Sequence, residues 1–404
     1  MNFSRALVWS LIAAAFIGPG TVTTAARAGS EGGWYYAPYV VLAAAAGLLL
    51  MEMVARITLV SGRSLGQILG KGGRGLAIVC FGAVLLGCMA YQAGNLLGAL
   101  SGIQLLTAAD RLWVLLLGAA AFAVLWSGDT RVIARALSAI VVLMGLVFVV
   151  SAIILLTGEA GLTGSGTVVP ATVIGLVGTT IVPYNFFLAA GLGKGQSMSD
   201  MRLGLTGSFL VGGIITLSIV LVGSVANSFT SFSDLALTLD ARLGKLSGLV
   251  LGFGLFAAGF SSAVTAPLAA ALAGRELLGR EDGALANDSA WFRIIWGGVL
   301  AVGLLVACLE LDIISVIIAA QVANGLLLPF VAAIVLMMAN DRDLLGDRIN
   351  AQWQNAVGLL VAGFLAYKNF GLLLGKVGYA NEIVSWILSG GYLLLVGMLI
   401  RRKR

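Results

Sequence analysis

The sequence lacks histidine entirely and carries very little charge, and each shortage removes a class of function. Without histidine, the chain has neither the commonest proton shuttle nor the commonest metal ligand of proteins. Charged residues make up only 10% of its 404 residues, whereas an ordinary soluble domain has about 25%. Because 60% of the residues are hydrophobic, the chain cannot hide its apolar surface from water by folding alone, and we predict a membrane protein.

Cysteine is also scarce, and its positions argue against an enzyme. Cys80, Cys88 and Cys308 all lie in apolar segments and form no Cys-x-x-Cys pair, so neither a metal cluster nor a nucleophile with its base is available. No glycine-rich phosphate-binding loop occurs, and we predict no cofactor and no use of ATP. Basic residues are spread over the loops, and the one run, at 401–404, suits a membrane surface better than nucleic acid.

What the sequence does contain is a series of apolar runs of around 20 residues, each long enough to cross a hydrocarbon core of roughly 30 Å as a helix. Because lipid offers the backbone no hydrogen bonds, these runs predict an all-α membrane protein. We predict twelve spans, at 6–28, 36–60, 76–100, 112–127, 132–157, 168–192, 203–227, 247–274, 291–308, 312–338, 353–375 and 381–400.

The loops alternate in positive charge, which predicts the orientation in the membrane. One set of alternate connections, together with both ends of the chain, holds 18 of the 24 lysines and arginines. The positive-inside rule therefore places both termini in the cytoplasm. The short loops and the lack of a targeting extension point to a multi-pass protein of a bacterial inner membrane.

Two spans are interrupted by proline at the same depth. The motif GPGT at 18–21 interrupts the first span and VPYN at 182–185 interrupts the sixth, and regular helix cannot pass through either one. Equivalent breaks in the first and sixth spans indicate a repeat of five plus five helices, inverted because five is odd. We therefore predict a first repeat at 1–160, an inverted repeat at 161–340, and helices 11 and 12 with a basic tail at 341–404.

Interrupted spans at matching positions of two halves are the best sequence pointer to a transporter's binding site. An unwound helix exposes carbonyls and amides, and a solute that pairs with them binds there. Gln321 and Asn324, two amides on one face of span ten, are also candidates for binding, although a structural hydrogen bond between helices explains them almost equally well. Tyr91, Gln92 and Asn95 in span three have the same two interpretations. The predicted binding residues are Gly18, Pro19, Gly20, Thr21, Thr24, Val182, Tyr184, Asn185, Gln321 and Asn324.

Glu52 is the acidic residue that we place clearly inside a span, where an acid is functional by default because burying its charge is costly. It either binds the broken backbone of span one or carries a coupling proton. The alternative is an interior ion pair with Arg56, one helical turn away. Glu52 is thus the candidate coupling residue, and a proton or sodium is the candidate coupling ion.

The stretch from Phe16 to Leu65, FIGPGTVTTAARAGSEGGWYYAPYVVLAAAAGLLLMEMVARITLVSGRSL, resembles the natural resistance-associated macrophage protein (Nramp) family of metal transporters. Further on, TTIVPYNFFLAAG is similar to that family's sixth helix and AAQVANGLLLPF to its tenth. The resemblance covers most of the chain. It implies the family's LeuT-like fold, an inverted repeat of five plus five transmembrane helices, here with two additional C-terminal helices.

The family's metal site does not carry over residue by residue. Where the family has Asp-Pro-Gly-Asn, this chain has the motif GPGT at 18–21, and it lacks both the carboxylate and the amide. Where the family has methionine, proline and histidine in helix six, this chain has VPY at 182–184, without the soft thioether that favours transition metals. Gln321 matches a polar position of the family's tenth helix. If a metal binds, its side-chain ligands are Thr21, Asn185 and Gln321.

We expect a secondary-active transporter that works by alternating access on a small inorganic ion or small organic solute. It is not expected to be a high-affinity manganese or iron carrier, because neutral oxygens compensate poorly for the lost hydration of a bare divalent ion. The family implies a divalent cation such as hydrated magnesium. The residues alone leave open a small anion, such as bicarbonate or a carboxylate, or an amino acid, bound at the half-helix N-termini. A transport-inactive sensor is a more distant alternative.

Overall fold

The structure, a computed structural model of the chain, describes residues 17–63, 65–70, 74–127, 130–157, 166–182, 184–186, 197–225, 229–244, 246–278, 289–379 and 381–404. Within those ranges the regular structure is helical throughout, with two 3₁₀ turns at Gly33–Tyr36 and Gly346–Arg348. The α-helices, numbered in chain order, are α1 Pro19–Gly32, α2 Ala37–Ser61, α3 Leu65–Gly70, α4 Arg74–Leu106, α5 Trp113–Ser127, α6 Thr130–Thr157, α7 Pro170–Thr180, α8 Met198–Gly223, α9 Phe232–Leu243, α10 Leu246–Leu278, α11 Ala290–Cys308, α12 Ile313–Met338, α13 Arg342–Leu345, α14 Gln352–Lys376 and α15 Glu382–Lys403.

Each predicted span has a helical counterpart in the part of the chain that the structure describes. By length and composition alone, 8 stretches of the described residues can cross a membrane, one of them combining α1 and α2, and α5 and α6 contain shorter apolar helices. Span seven starts at Met198, earlier than predicted, because Ser197 caps the helix by accepting a hydrogen bond from the Asp200 amide. The first part of span one, at 6–16, and most of the second part of span six lie outside the described residues.

Three helices were not predicted from the sequence. The short helices α3 and α13 lie in connections, and α9 is a helix of 12 residues between α8 and α10. The stretch that forms α9 is polar on one face, so a search for continuous apolar runs misses it. Ser231 starts it by accepting a hydrogen bond from the Asp234 amide at 3.1 Å.

The broken helices lie at the centre of the bundle. Helix α1 packs against α7, α8 and α12, while α4 and α10 form a long contact beside them. Glycine permits the closest approaches, because a Cβ atom on Gly178 of α7 would lie 2.1 Å from the Gln321 carbonyl oxygen of α12, and one on Gly29 of α1 would lie 2.1 Å from the Val220 carbonyl oxygen of α8. These contacts bring both breaks to the same place. The division into parts at 1–160, 161–340 and 341–404 stays a prediction.

Candidate functional site

Helix α1 begins where the break in the first span was predicted, and the part of that span before Ile17 lies outside the described residues. Gly18 is in an extended conformation, with φ −96° and ψ 178°, and α1 begins at Pro19. Proline suits the first position of a helix because that position needs no amide hydrogen. The amides of Thr21 and Val22 both donate to the Gly18 carbonyl, at 3.0 and 3.3 Å. The first turn of α1 holds no acidic residue.

The break in the sixth span has the same position in the second half of the chain. Helix α7 ends at Thr180, Ile181 leaves the helical region with φ −110° and ψ 86°, and helical structure resumes at Tyr184. The Asn185 amide donates to the Val182 carbonyl at 3.0 Å. Pro183, the proline of this motif, is outside the described residues. The last carbonyls of α7 carry partial negative charge, which favours a cation beside them.

Side chains from four helices meet at these breaks. Thr21 Oγ1 of α1 lies 2.9 Å from Thr179 Oγ1 of α7. The Tyr91 hydroxyl of α4 donates to Gln321 Oε1 of α12, and the Tyr91 ring meets the Tyr184 ring edge to face at 6.0 Å. A Cβ atom on the neighbouring Gly20 would lie 1.8 Å from Gln321 Nε2, so the glutamine amide lies directly against the broken backbone.

Two asparagine side chains at the site are buried without partners. Asn185 and Asn324 are each 1% exposed, and neither the oxygen nor the nitrogen of either side-chain amide has a hydrogen-bond partner among the described residues. Thr24 Oγ1 is likewise buried and unpaired there. An unmade hydrogen bond of this kind costs about 1–3 kcal/mol. Five such atoms in one region are therefore costly unless a solute or water satisfies them.

The site is polar and uncharged. Within the described ranges, no group of three or more His, Cys, Asp or Glu side chains lies close enough together to hold a metal ion. The side-chain groups at the breaks are hydroxyls and carboxamides, whose oxygens are hard ligands. Beyond Asn185, toward the end of the bundle that holds the C-terminus, Phe186 and Val84 help to line a small apolar cavity of about 40 Å³.

On the side of the breaks away from this cavity, one carboxylate links the end of α1 to the start of α7. Glu31, at the end of α1, accepts hydrogen bonds from Arg27 at 2.6 Å, Tyr36 at 3.1 Å and Thr172 at 2.8 Å. The Tyr36 hydroxyl in turn accepts from the Val169 amide at 2.8 Å. Because Thr172 and Val169 belong to the start of α7, this network ties the two half-helices together beyond the site.

The structure brings most of the predicted binding residues together. Thr21 and Gln321 contact other members of the site, Tyr184 lies against Tyr91, and Asn324 faces α4, where a Cβ atom on Gly87 would lie 2.9 Å from its Oδ1. Thr24 lies in the second turn of α1, and the remaining predicted residues are at or next to the two breaks, namely Gly18, Pro19, Gly20, Val182 and Asn185.

Sequence reasoning missed two polar neighbours of the breaks. Thr179 bonds to Thr21, and Ser262 Oγ of α10 would lie 3.2 Å from a Cβ atom on Gly18. Each is a small polar residue in a long apolar run, and small residues of that kind are common wherever transmembrane helices pack. No signal in the sequence distinguishes these two from the rest.

Glu52 does not reach the broken backbone, which corrects one of the two roles predicted for it. Its Oε1 accepts from Arg202 Nε at 3.0 Å and Arg202 Nη2 at 2.8 Å, and its Oε2 lies 3.4 Å from Arg56 Nε. The ion pair with Arg56 was the alternative drawn from the sequence, and Arg202 of α8 completes it. A coupling proton on Glu52 is still untested, and its contacts with two arginines favour the alternative role as an interior ion pair.

We expect Glu52→Gln to lower the stability of the protein without changing the pH dependence of its uptake. A glutamine keeps the shape but leaves the buried Arg56 without its counter-charge. Breaking a buried ion pair costs about 3–5 kcal/mol. We expect a smaller loss of stability here, because Arg202 is 57% exposed and water screens its charge. The measurements are thermal unfolding in detergent and uptake into proteoliposomes over a range of pH. Uptake that loses its pH dependence in this variant would instead assign the coupling proton to Glu52.

Comparison with known sequences gives relatives over nearly the whole chain. A model of the family described as "Natural resistance-associated macrophage protein-like" matches residues 10–375. Divalent metal cation transporter MntH 1 of Pseudomonas aeruginosa is 27% identical, over 90% of this chain and 89% of that protein. The MntH protein of Deinococcus radiodurans is 24% identical, over 90% of this chain and 88% of its own length.

Comparison with solved structures gives the same architecture. A crystal structure of the Eremococcus coleocola manganese transporter matches with a TM-score of 0.74 at 17% identity, over 99% of this chain and 95% of that one. Mhp1, a nucleobase-cation-symport-1 family transporter, matches with a TM-score of 0.61 at 15% identity, over 99% of this chain and 91% of that one. These similarities confirm the all-α LeuT-like fold, with its inverted repeat of five plus five helices followed by two more.

Proposed function

This chain belongs to the natural resistance-associated macrophage protein family of membrane transporters, and we propose that it carries a hydrated divalent cation, with magnesium as the favoured cargo. It is a multi-pass membrane protein, and we propose that it works by alternating access, driven by a proton or sodium gradient, with both termini in the cytoplasm. The observation that supports the choice of cargo is a buried, uncharged site with unpaired carboxamides at the two breaks.

A bare transition-metal ion fits this site poorly. Its lost hydration must be replaced by ligands, and the ligands that do this best for manganese and iron carry negative charge or a soft sulfur. Position 18 is glycine and position 182 is valine, so neither break supplies such a group. Manganese, which the Eremococcus coleocola structure is named for, is therefore not the cargo that we propose here.

A hydrated magnesium ion fits it better. Magnesium dehydrates reluctantly and usually keeps several of its waters when a protein binds it. Waters on a cation donate hydrogen bonds outward, and the oxygens of Asn185 and Asn324 are buried and free to accept them. The carbonyls at the end of α7 add a partial negative charge on the same side. Binding through the hydration shell thus needs no carboxylate.

A small anion or an amino acid is the second candidate, because the side-chain nitrogens of Asn185 and Asn324 also have no acceptor among the described residues. The start of α1 gives this reading less support than the sequence alone suggested. Pro19 has no amide hydrogen, and the amides of Thr21 and Val22 are already bonded to the Gly18 carbonyl. Little of the positive end of this half-helix is therefore left for an anion.

The test is uptake by the purified full-length protein in proteoliposomes. We expect saturable magnesium uptake, weak or no manganese uptake at micromolar concentration, and no uptake of bicarbonate or amino acids. The control variant is Asn355→Gln, which changes a carboxamide in the first turn of α14, away from the two breaks, and should leave uptake intact. Saturable uptake of an amino acid or bicarbonate without magnesium uptake would overturn the proposed cargo and favour the second candidate.

A further inference from the structure

A pocket lined by three arginines opens at the end of the bundle that holds the C-terminus. It has a volume of about 400 Å³ and lies between α2, the start of α8 and the segment that leads into α14. Arg56, Arg202 and Arg348 line it, together with Gln354. We call it the arginine pocket. It is separate from the two breaks, and transport as proposed above makes no use of it.

The arginine pocket has an excess of positive charge. Glu52 is the carboxylate in ion-pair contact with its arginines, so three positive charges face one negative charge. Asp200, in the first turn of α8, and Asp347, in the connection before α14, do not line the pocket. Arg56 is only 4% exposed; its Nη1 donates to the Arg348 carbonyl at 2.7 Å, its Nη2 donates to Asn350 Oδ1, and its Nε lies 3.4 Å from Glu52 Oε2. Arg56 is therefore held in place by the protein as a fixed positive charge, and the net positive charge of the three arginines favours an anionic ligand.

The start of α14 adds partial positive charge to the arginine pocket. Ala351 is the residue that precedes this helix of 25 residues, and both Ala351 and Gln354 line the pocket. Gln354 Oε1 accepts from the Ala351 amide at 2.9 Å, but no acidic residue lies in the first turn of α14, so no negative charge offsets the partial positive charge of the helix N-terminus. Arginine forks and a helix N-terminus together match the geometry of a phosphate group.

An apolar groove lies further along the same two helices, α2 and α8. It runs between α2 and α8 and is lined by Val40, Ala44 and Leu48 on one side and by Thr206, Leu210 and Gly213 on the other. Leu48 is one helical turn from Glu52, and Thr206 is one turn from Arg202. From Thr206 to Leu217 the groove extends about 16 Å at 1.5 Å per residue, which is close to half of a hydrocarbon core of roughly 30 Å.

The residues around the pocket place it at the level of the lipid headgroups. Trp353, next to Gln354, is 64% exposed, and Leu203, next to Arg202, is 65% exposed. Exposed tryptophan and arginine beside exposed leucine are typical of the boundary between the hydrocarbon core and water. A ligand in the arginine pocket therefore has water on one side and acyl chains on the other.

We propose that the arginine pocket and the apolar groove together bind one anionic phospholipid. Its phosphate lies among Arg56, Arg202 and Arg348, and one acyl chain lies in the groove between α2 and α8. Basic pockets between transmembrane helices recognise anionic headgroups in this way. A free phosphate shares the headgroup chemistry but has no acyl chain to fill the groove, and the two sources are separated by the experiment below.

The test measures the thermal unfolding midpoint of the purified full-length protein in detergent. Three additions are compared: phosphatidylglycerol, phosphatidylcholine with the same acyl chains, and inorganic phosphate. We expect phosphatidylglycerol to raise the midpoint by several degrees in a saturable way, because a ligand that binds only the folded state stabilises it. Phosphatidylcholine and inorganic phosphate should have little effect. Equal stabilisation by both lipids, or stabilisation by phosphate alone, would overturn the proposal.

Two pairs of variants locate the site. Arg348→Gln should weaken the response to phosphatidylglycerol about fivefold, as expected for one basic residue near a membrane surface, while Arg342→Gln at the same end of the bundle should not. Gly213→Leu should weaken it by filling the groove, since a Cβ atom there meets Ala44 only at 3.5 Å. Its control is Gly207→Leu, on the same helix with open space around it. A response that is unchanged in both Arg348→Gln and Gly213→Leu would contradict the assignment.

Discussion

Gly18→Asp is expected to turn this protein into one that binds manganese. The variant places a carboxylate at the first break, next to the hydroxyls and carboxamides already there. Coulomb attraction between a carboxylate and a divalent ion is several kcal/mol at the effective dielectric of a protein. If about 3 kcal/mol of this attraction is left after the cost of desolvating both charges, the affinity rises roughly 100-fold. We therefore expect manganese affinity to rise about 100-fold in calorimetric titration, and magnesium uptake to slow because the ion is released less readily.

The backbone at position 18 accepts an aspartate without strain. Its φ of −96° is in the ordinary region for any residue, and a Cβ atom would lie 3.2 Å from the Ser262 hydroxyl, which can move by a rotation of its side chain. Gly18 also immediately precedes α1, a position where aspartate and asparagine are equally favourable. Gly18→Asn is therefore the matched control, because it has the same size and capping ability but no charge.

The two variants separate charge from shape. We expect Gly18→Asn to bind manganese no better than the unmodified protein. Equal gains in both variants would show that an extra ligand, and not its negative charge, was missing. No gain in either variant would place the cation site elsewhere, and it would contradict the assignment of the first break to the binding site.

Asn185→Leu is expected to abolish transport and, at the same time, to stabilise the protein. Both polar atoms of the Asn185 side chain are buried without partners in the described structure, and the side chain is 1% exposed. Replacing a buried unpaired amide by an apolar group of similar size removes a cost of about 1–3 kcal/mol. The thermal midpoint should rise by a few degrees, while magnesium uptake should fall to the level of empty liposomes.

The control for this variant is Asn355→Leu, which removes a carboxamide that is fully bonded. Asn355 Oδ1 accepts from Asn340 and Asn350 at 2.8 Å each, and its Nδ2 donates to Asn340 Oδ1 at 2.7 Å. Here the same substitution leaves partners unsatisfied, so the midpoint should fall. If Asn185→Leu were also destabilised, with uptake retained, then Asn185 would be a structural residue and not part of the binding site.

The positions of the helices and of the two breaks were predictable from the sequence for a physical reason. Lipid forces each backbone polar group to be satisfied within its own segment, so length and apolar composition alone define a transmembrane helix. Proline alone does not locate a break, because Pro267 and Pro329 lie inside the continuous helices α10 and α12. The breaks were predicted from the proline motifs at matching positions of the two halves, and α1 does begin at Pro19. Helix α9 was not predicted, because it is short and polar on one face and so forms no continuous apolar run.

Contacts between distant side chains were less predictable. The sequence offers Glu52 a neighbour at one helical turn, Arg56, but nothing in it shows that Arg202 lies 2.8 Å away across the α2–α8 contact. In the same way Thr179 and Ser262 reach the breaks only because their helices pack there. Residue types predicted which groups are present at the site, while helix packing determined which of them meet.

The central claim is that the cation is bound with its hydration shell intact, through neutral oxygens at the two breaks. It is tested most directly by competition between magnesium and hexaamminecobalt(III) in proteoliposome uptake. This complex has the size and outward-pointing donors of a hydrated magnesium ion, and it does not exchange its ligands. We predict saturable inhibition of magnesium uptake that is lost in Asn185→Leu. Magnesium uptake that is unaffected by the complex would contradict the account, because it would show that the ion must shed its waters to bind.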